Sequence, residues 1–260
     1  MSYERSPLAV CSRTIGTKLG MEFPCYAWVC NISKYNTQSD HMQDIKFEIF
    51  PEDYAYSRVQ TTFPWSREEL IADFEQEDWK PYGAETAVKH DEWTGKRFKV
   101  HRPHSPQLQQ ISQFFRQDSV RDYVIECLYR DKAILQVNWQ MYPWRMSTNT
   151  ELHAEFTKDL PGFENGIHCD MRRLVGTGMI YLAEGDDPNS ASCFYDHPDR
   201  YNPRRVATGY GAGWVHSNDW NTWHDGWNRT DKTRYSILLG LTLKLENQPQ
   251  ATDQAVQTTV

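Results

Sequence analysis

The chain has 260 residues, of which 39% are hydrophobic and 24% are charged. This length fits one large domain or two small ones, and the apolar content is sufficient for a core. With 28 Lys and Arg against 35 Asp and Glu, the net charge is −7. A function that depends mainly on phosphate-backbone contacts needs a basic surface, so this charge argues against one. No apolar run is as long as a membrane span.

The N-terminal residues and the spacing of the cysteines indicate in which cellular compartment the protein is expected. Residues 1–20 contain no continuous apolar segment, so the sequence predicts no secretory signal. The six cysteines show no Cys-x-x-Cys spacing, which favours free thiols over a disulfide framework or a zinc site. We therefore expect a cytoplasmic protein. Residues 246–260 are polar and rich in Gln and Thr, and they predict a disordered tail.

The first part of the chain, residues 1–104, is predicted to be a mixed α/β extension that packs on the core. Residues 23–32 and 44–50 have the pattern of strands. Ser66 is followed three residues later by Glu69, which is the pattern of a helix capping box. A short helix is expected to begin there.

Residues 105–245 are predicted to contain helical support followed by a β core. Apolar side chains recur at helical spacing over 105–131. After Asp131 the chain changes to short apolar runs separated by Gly, Pro, Asn and Asp, which is typical of a sandwich or barrel. The predicted strands are 133–142, 174–183, 192–195, 213–217, 222–226 and 234–245.

One set of side chains in the β-rich part has the spacing of a metal site. His168 and Asp170 share one face of an extended backbone, and His224 lies on a later predicted strand. Two imidazoles and one carboxylate leave three positions of an octahedral ion open, as in non-haem Fe(II) oxygenases. A 2-oxo acid can take two of these positions. Its distal carboxylate requires a charged fork, which Arg234 supplies, and Ser236 adds a hydroxyl donor.

The His-x-Asp/Glu pattern is weak by itself, because it occurs four times. The other three pairs are His90/Glu92 in a charged run, His153/Glu155 with no clear strand after it, and His197/Asp199 in a predicted loop. Only His168/Asp170 leads into a predicted strand. For the second histidine, His216 and His224 are both open. We prefer His224 because Arg234 then follows one hairpin later.

These residues resemble the Fe(II)/2-oxoglutarate-dependent oxygenase superfamily. The matching segments are His168-Cys169-Asp170, 174–185, 211–215, Trp223-His224 and 234–238. The resemblance implies an α+β fold that is mainly β, built on a double-stranded β-helix (jelly-roll) with supporting helices. It also implies Fe(II) as the metal and 2-oxoglutarate and O2 as co-substrates. His168, Asp170 and His224 would bind the iron, and Arg234 and Ser236 would bind 2-oxoglutarate.

Four further residues are candidates for the site, two of them through the resemblance. Asn138 and Tyr142 share one face of the strand predicted before the first ligand, where related enzymes hold 2-oxoglutarate; the alternative is hydrogen bonding inside the barrel. Arg172 would face inward beside the iron and suit an acidic substrate, or else pair with surface acids. Trp223 is a candidate for substrate contact, with ordinary packing as the alternative.

The expected function is a dioxygenase that hydroxylates an unactivated C–H bond and releases succinate and CO2. The expected substrate is a small, amino-acid-like molecule or a peptide side chain, with neither duplex nucleic acid nor membrane as a partner. Asp170 favours hydroxylation over halogenation, because related halogenases carry a small residue there that leaves space for chloride. The alternatives are a nucleic-acid or nucleobase oxygenase of the same superfamily and a jelly-roll protein that binds metal without redox chemistry.

Overall fold

A computed structural model describes most of the chain after residue 44. The described residues are 45–51, 56–82, 95–100, 102–135, 149–170, 174–218 and 222–244. The predicted strand at 23–32, the predicted tail at 246–260 and the candidate site residues Asn138, Tyr142 and Arg172 lie outside them.

These residues form twelve strands and three helices. The elements that come first in the chain are β1 (Lys46–Pro51), β2 (Ser57–Thr62), α1 (Arg67–Glu75), β3 (Lys80–Pro81), β4 (Arg97–Val100), α2 (Pro106–Phe115) and α3 (Asp118–Leu135). Eight strands follow, namely β5 (Thr150–Asp159), β6 (Phe163–His168), β7 (Leu174–Leu182), β8 (Ser190–Tyr195), β9 (Arg204–Val206), β10 (Tyr210–Ser217), β11 (Trp223–Asn228) and β12 (Arg234–Leu243).

The strands of the described residues form two antiparallel sheets. The large sheet has the order β1-β2-β10-β7-β12-β5-β4-β3, and the small sheet has the order β6-β11-β8-β9. From β5 to β12 the chain crosses repeatedly between the sheets, so that β5, β12, β7 and β10 face β6, β11, β8 and β9. This is the jelly-roll, and it confirms the predicted fold class.

The alternation of side chains along the strands creates two layers of packing. β12 presents Ile237, Leu239 and Leu241 to a core shared with the helices. Its intervening residues face the space between the sheets, where Arg234 donates hydrogen bonds to carbonyl groups of the small sheet. A smaller apolar cluster, which includes Met179, Phe194 and Trp214, also fills this space.

The predicted helices are present. Ser66 caps α1, since its hydroxyl accepts from the Glu69 amide while the Glu69 carboxylate accepts from the Ser66 amide at 2.7 Å. The helical segment predicted over 105–131 becomes α2 and α3, and Arg116 caps the C-terminus of α2. None of the described helices combines the length and the apolar character that a membrane span requires.

Two predictions of strands were wrong. α3 continues to Leu135, so the strand predicted over 133–142 does not begin at residue 133. Residues 129–135 contain no Gly or Pro, and a short apolar run such as Ala133-Ile134-Leu135 suits either structure. The absence of a strand after His153 was also a wrong expectation, because β5 spans Thr150–Asp159. Leu152, Ala154 and Phe156 do alternate with polar residues there, as a half-buried strand requires.

Strands from residues 1–104 extend the large sheet at both edges. β1 and β2 continue it beyond β10, and β3 and β4 continue it beyond β5. This part of the chain is therefore hydrogen-bonded into the jelly-roll sheet, and β4 lies directly beside β5.

The capping box of α1 generates the first prediction. Ser66→Ala removes the hydroxyl that accepts from the Glu69 amide, and we expect the free energy of unfolding to fall by about 1 kcal/mol in urea denaturation. Ser66→Asp keeps a side-chain acceptor at the cap and should unfold like the wild type. Equal losses in both variants would contradict a capping role.

Candidate metal and carboxylate site

Three predicted ligands lie together at one end of the space between the sheets. His168 ends β6, and it pairs in register with His224 on the neighbouring strand β11. Asp170 follows two residues after His168, with its Oδ1 3.5 Å from His168 Nε2 and 3.8 Å from His224 Nε2. The ligand atoms of the three residues all lie within 4.8 Å of one another.

Backbone carbonyls set the orientation of both imidazoles. His168 Nδ1 lies 2.8 Å from the Gly166 oxygen, and His224 Nδ1 lies 3.1 Å from the Thr222 oxygen. A carbonyl oxygen can only accept a hydrogen bond, so each Nδ1 carries a hydrogen, and in the neutral imidazole the Nε2 then offers its lone pair. Histidines that ligate metals have this arrangement. The donor set of two nitrogens and one carboxylate oxygen fits a divalent transition metal.

The charge states of these groups also suit a cation. Burial lowers the pKa of His224 to about 3, so its Nε2 is unprotonated at neutral pH. Burial opposes ionisation of Asp170, but the imidazoles around it, His224 foremost, hold the pKa of its carboxyl well below the usual range. The site therefore offers a carboxylate and at least one neutral imidazole.

A third histidine lies behind Asp170. His216 Nε2 is 3.1 Å from Asp170 Oδ2, and its Nδ1 is 2.8 Å from the Ser217 oxygen. The ring is fully buried and stacks on Trp214 with 5.4 Å between centroids. His216 thus contacts the carboxylate oxygen opposite the one that faces His168 and His224. Of the two histidines left open by the sequence, His224 is the one that joins the group.

A cavity extends from these three residues between the sheets. Its volume is about 90 Å³. Besides the three candidate ligands, the lining includes Asn165, Thr177, Gly226, Arg97 and Arg234. The buried Thr177 hydroxyl has no hydrogen-bond partner in the described part of the chain, so it is available to a polar ligand.

Away from the three candidate ligands, two arginines that line this cavity share one carboxylate. Asp159 on β5 lies in register between Arg97 on β4 and Arg234 on β12. Arg97 donates through Nε to Oδ1 at 2.6 Å and through Nη2 to Oδ2 at 2.9 Å. Arg234 donates to Oδ2 through Nη2 at 2.6 Å and through Nε at 3.1 Å. We call these three residues the Arg–Asp–Arg row.

The row is buried and carries a net positive charge. Relative exposure is 6% for Arg97, 0% for Asp159 and 4% for Arg234. Burial favours the neutral form of Asp159, but the two guanidinium groups lower the pKa of its carboxyl. Two cations and one anion give the row a net charge of +1 beside the cavity.

The remaining predicted site residues have different placements. Ser236 lies on the same face of β12 as Arg234, with its Oγ 2.7 Å from the hydroxyl of its register partner Thr157. Trp223 precedes His224 on β11, and adjacent residues of a strand face opposite sides, so its side chain points away from the three candidate ligands. This placement does not support a substrate contact through Trp223.

The competing motifs lie outside the cluster. His153 and Glu155 are on β5 and do not join the group of candidate ligands. His197 and Asp199 lie in the turn after β8, and their side chains are 60% and 86% exposed. His90 and Glu92 are outside the described residues.

Sequence reasoning missed Arg97, Asp159 and Asn165. Arg97 and Asp159 belong to separate short segments, and only the pairing of β4 with β5 brings them together. Asn165 Nδ2 lies 3.4 Å from His168 Nε2, because β6 carries both residues. Asp159 had one available signal, the alternation of apolar residues along β5.

Solved structures with a similar chain path include prolyl hydroxylases and a 2OG-Fe(II) oxygenase family oxidoreductase. A prolyl-4-hydroxylase from Pseudomonas putida is 15% identical, covers 74% of this chain and 94% of its own, and has a TM-score of 0.46. A prolyl hydroxylase from Trichoplax adhaerens, solved with a fragment of the hypoxia inducible factor oxygen degradation domain, is 12% identical, with coverages of 73% and 84% and a TM-score of 0.48. A 2OG-Fe(II) oxygenase family oxidoreductase from Burkholderia pseudomallei is 15% identical, with coverages of 67% and 78% and a TM-score of 0.44.

No family model matches the chain, and no curated protein matches it. Similarities at these TM-scores carry nothing about activity. The side chains of the cavity therefore have to support any assignment of function.

The shared carboxylate generates a stability prediction. Asp159→Asn leaves two buried guanidinium groups without an anion, and we expect the free energy of unfolding at pH 7 to fall by about 3–5 kcal/mol. Asp199→Asn, in an exposed turn, is the matched control and should unfold like the wild type.

The same carboxylate predicts a pH dependence. Because the pKa of Asp159 is lowered in the folded protein, its contribution is complete above the ordinary value of 3.8 and is lost as the pH falls through the lowered pKa. The difference in the free energy of unfolding between the wild type and Asp159→Asn should shrink as the pH falls below 3.8. A difference that stays constant on acidification would contradict an ionised Asp159.

The contact between His216 and Asp170 predicts an effect on metal affinity. His216→Phe keeps a ring but removes the hydrogen bond to Oδ2, so Asp170 is less firmly oriented. We expect binding of Co(II), followed by its visible absorption, to weaken about 10- to 100-fold. His216→Gln retains an N–H donor and should lose less. Unchanged affinity in His216→Phe would show that Asp170 does not depend on this contact.

Proposed function

We propose that this protein is an Fe(II)- and 2-oxoglutarate-dependent oxygenase that hydroxylates a C–H bond of a small molecule or a peptide side chain. The observation that carries the proposal is one cavity with a metal donor set and a buried positive charge at separate positions. His168, Asp170 and His224 would hold the iron, and the Arg–Asp–Arg row would hold the carboxylate farther from it.

The spacing of the two parts supports a short dicarboxylate. Arg234 Nη1 donates to the Trp227 oxygen at 2.7 Å, three residues after His224 on the same strand. A strand rises about 3.3 Å per residue, so roughly 10 Å of strand separates the parts. Gly226 lies between them and lines the cavity without a side chain, which leaves room for a ligand that spans both.

Iron, 2-oxoglutarate and O2 would supply one part of the chemistry, and the side chains of the protein supply the other. Iron with 2-oxoglutarate and O2 supplies the oxidising power for C–H hydroxylation, with succinate and CO2 as products. The chain orients the Nε2 atoms through the Gly166 and Thr222 carbonyls and keeps Asp170 ionised. It also binds the distal carboxylate and excludes water with the apolar lining of Met179, Trp214 and Leu238.

Substrate class and outcome rest on two observations. The net charge of −7 favours a small molecule or a peptide over duplex nucleic acid. The carboxylate of Asp170 occupies a ligand position, which favours hydroxylation over halide transfer. A nucleic-acid substrate would instead require binding that weakens steeply with salt.

Anaerobic titration tests the proposal directly. With Fe(II) and 2-oxoglutarate together, we expect a weak visible charge-transfer band that neither produces alone. His168→Ala and Asp170→Ala should each abolish this band, because each removes a ligand from a set of three. The double variant His197→Ala/Asp199→Ala changes an exposed copy of the same motif and should keep the band.

The alternative functions predict different results. Tight zinc binding without the band would indicate a jelly-roll protein that binds metal without redox chemistry. A protein that takes up no divalent metal would not be an enzyme of this class.

A further inference from the structure

We propose that Arg97, rather than Arg234, makes the direct contact with the distal carboxylate of the 2-oxo acid. Arg97 comes from β4, which lies outside the eight strands of the jelly-roll. This inference rests on the proposed function and concerns the residue that selects a dicarboxylate.

The hydrogen bonds of Arg234 leave it little capacity for a ligand. A guanidinium group has five N–H donors. Arg234 uses Nε and Nη2 on Asp159, and its Nη1 donates to the Trp227 oxygen at 2.7 Å and the Ala191 oxygen at 3.4 Å. Four of the five donors are therefore engaged, and they tie β12 to β5 and to the small sheet.

Arg97 has more free N–H donors than Arg234. It uses Nε and Nη2 on Asp159, and its Nη1 has no hydrogen-bond partner among the residues that the structure describes. Pairing through Nε and Nη2 occupies one edge of the guanidinium plane. The edge formed by Nη1 and the second hydrogen of Nη2 remains, and two parallel donors on one edge match a carboxylate.

The guanidinium of Arg97 is held in place before any ligand binds. Its Cζ lies 4.1 Å from the centre of the Phe163 ring, and Tyr82 lies at 5.9 Å. Arg97 is 6% exposed and lines the cavity. A planar cation fixed by an ion pair and an aromatic face loses little freedom when it takes a second acceptor.

The net charge of the Arg–Asp–Arg row favours a ligand with a second carboxylate. The Arg–Asp–Arg row has one positive charge in excess, and a buried charge is stabilised by a partner of opposite sign. A ligand carboxylate on Arg97 would give the row two anions and two cations. A 2-oxo acid without the second carboxylate would leave the excess charge in place.

Two variants separate the arginines, and each retains one Arg–Asp pair. In Arg97→Met, Asp159 keeps Arg234, and in Arg234→Met it keeps Arg97. The measurement is the dissociation constant of 2-oxoglutarate and of 2-oxopentanoate, which lacks the distal carboxylate, from the charge-transfer band with Fe(II). Arg229→Met is the matched control, because Arg229 is an exposed arginine paired with Glu164.

We expect Arg97→Met to weaken 2-oxoglutarate binding about 10- to 100-fold, with little change for 2-oxopentanoate. The preference for the dicarboxylate should be unchanged in Arg229→Met, and it should fall less in Arg234→Met than in Arg97→Met, because Arg234→Met removes the excess charge of the row but keeps the free edge of Arg97. Co(II) binding without any 2-oxo acid reports that each variant folds. Arg97→Lys keeps the positive charge but lacks the two parallel donors of the guanidinium group. It replaces Arg97→Met in the test if that variant does not fold, and its preference for 2-oxoglutarate over 2-oxopentanoate should fall at least threefold.

Several results would overturn the inference. It fails if Arg97→Met, or Arg97→Lys in its place, keeps the preference of the wild type. It also fails if Arg234→Met loses the preference as much as Arg97→Met does. A wild-type protein that shows no band with 2-oxoglutarate would instead refute the proposed function, so the two failures are distinguishable.

Discussion

The carboxylate of Asp159 is the interaction on which both halves of the structure depend. It lies in register between Arg97 and Arg234, so one buried anion joins β4, β5 and β12 side by side. Burying three charges is costly, and it is tolerated here because every oxygen of the carboxylate receives charged donors. The same contacts connect a strand of the N-terminal part to the jelly-roll and leave a positive charge beside the cavity.

The metal end of the cavity depends on a different constraint, the geometry of neighbouring antiparallel strands. Pairing of β6 with β11 sets His168 opposite His224, and carbonyls close in sequence to each histidine hold the rings. His216 reaches Asp170 from β10 in the other sheet. The candidate ligands thus receive support from both sheets, which limits their movement when no metal is bound.

Much of this arrangement was predictable from local patterns. The Ser66 capping box, the apolar repeat over 105–131 and most strands of the β-rich part follow from periodicity and turn residues. The strand β5 was not predicted, because one of its faces lines the interior with charged and hydroxyl groups instead of apolar ones. Trp223 was a candidate for substrate contact, but it lies on the opposite face of β11 from its neighbour His224.

By itself, the sequence determined a sandwich or barrel of short strands and the proximity of His168 and Asp170, since alternation and short spacing are local properties of the chain. The jelly-roll class came from the resemblance to the oxygenase superfamily. It also singled out His224 and Arg234 by their order along later strands. Only the tertiary structure decided that Arg97 joins Arg234 on Asp159, that Ser236 bonds to Thr157, and that His216 lies behind Asp170. These contacts cross between strands far apart in sequence, and strand order and register set them, neither of which a linear pattern encodes.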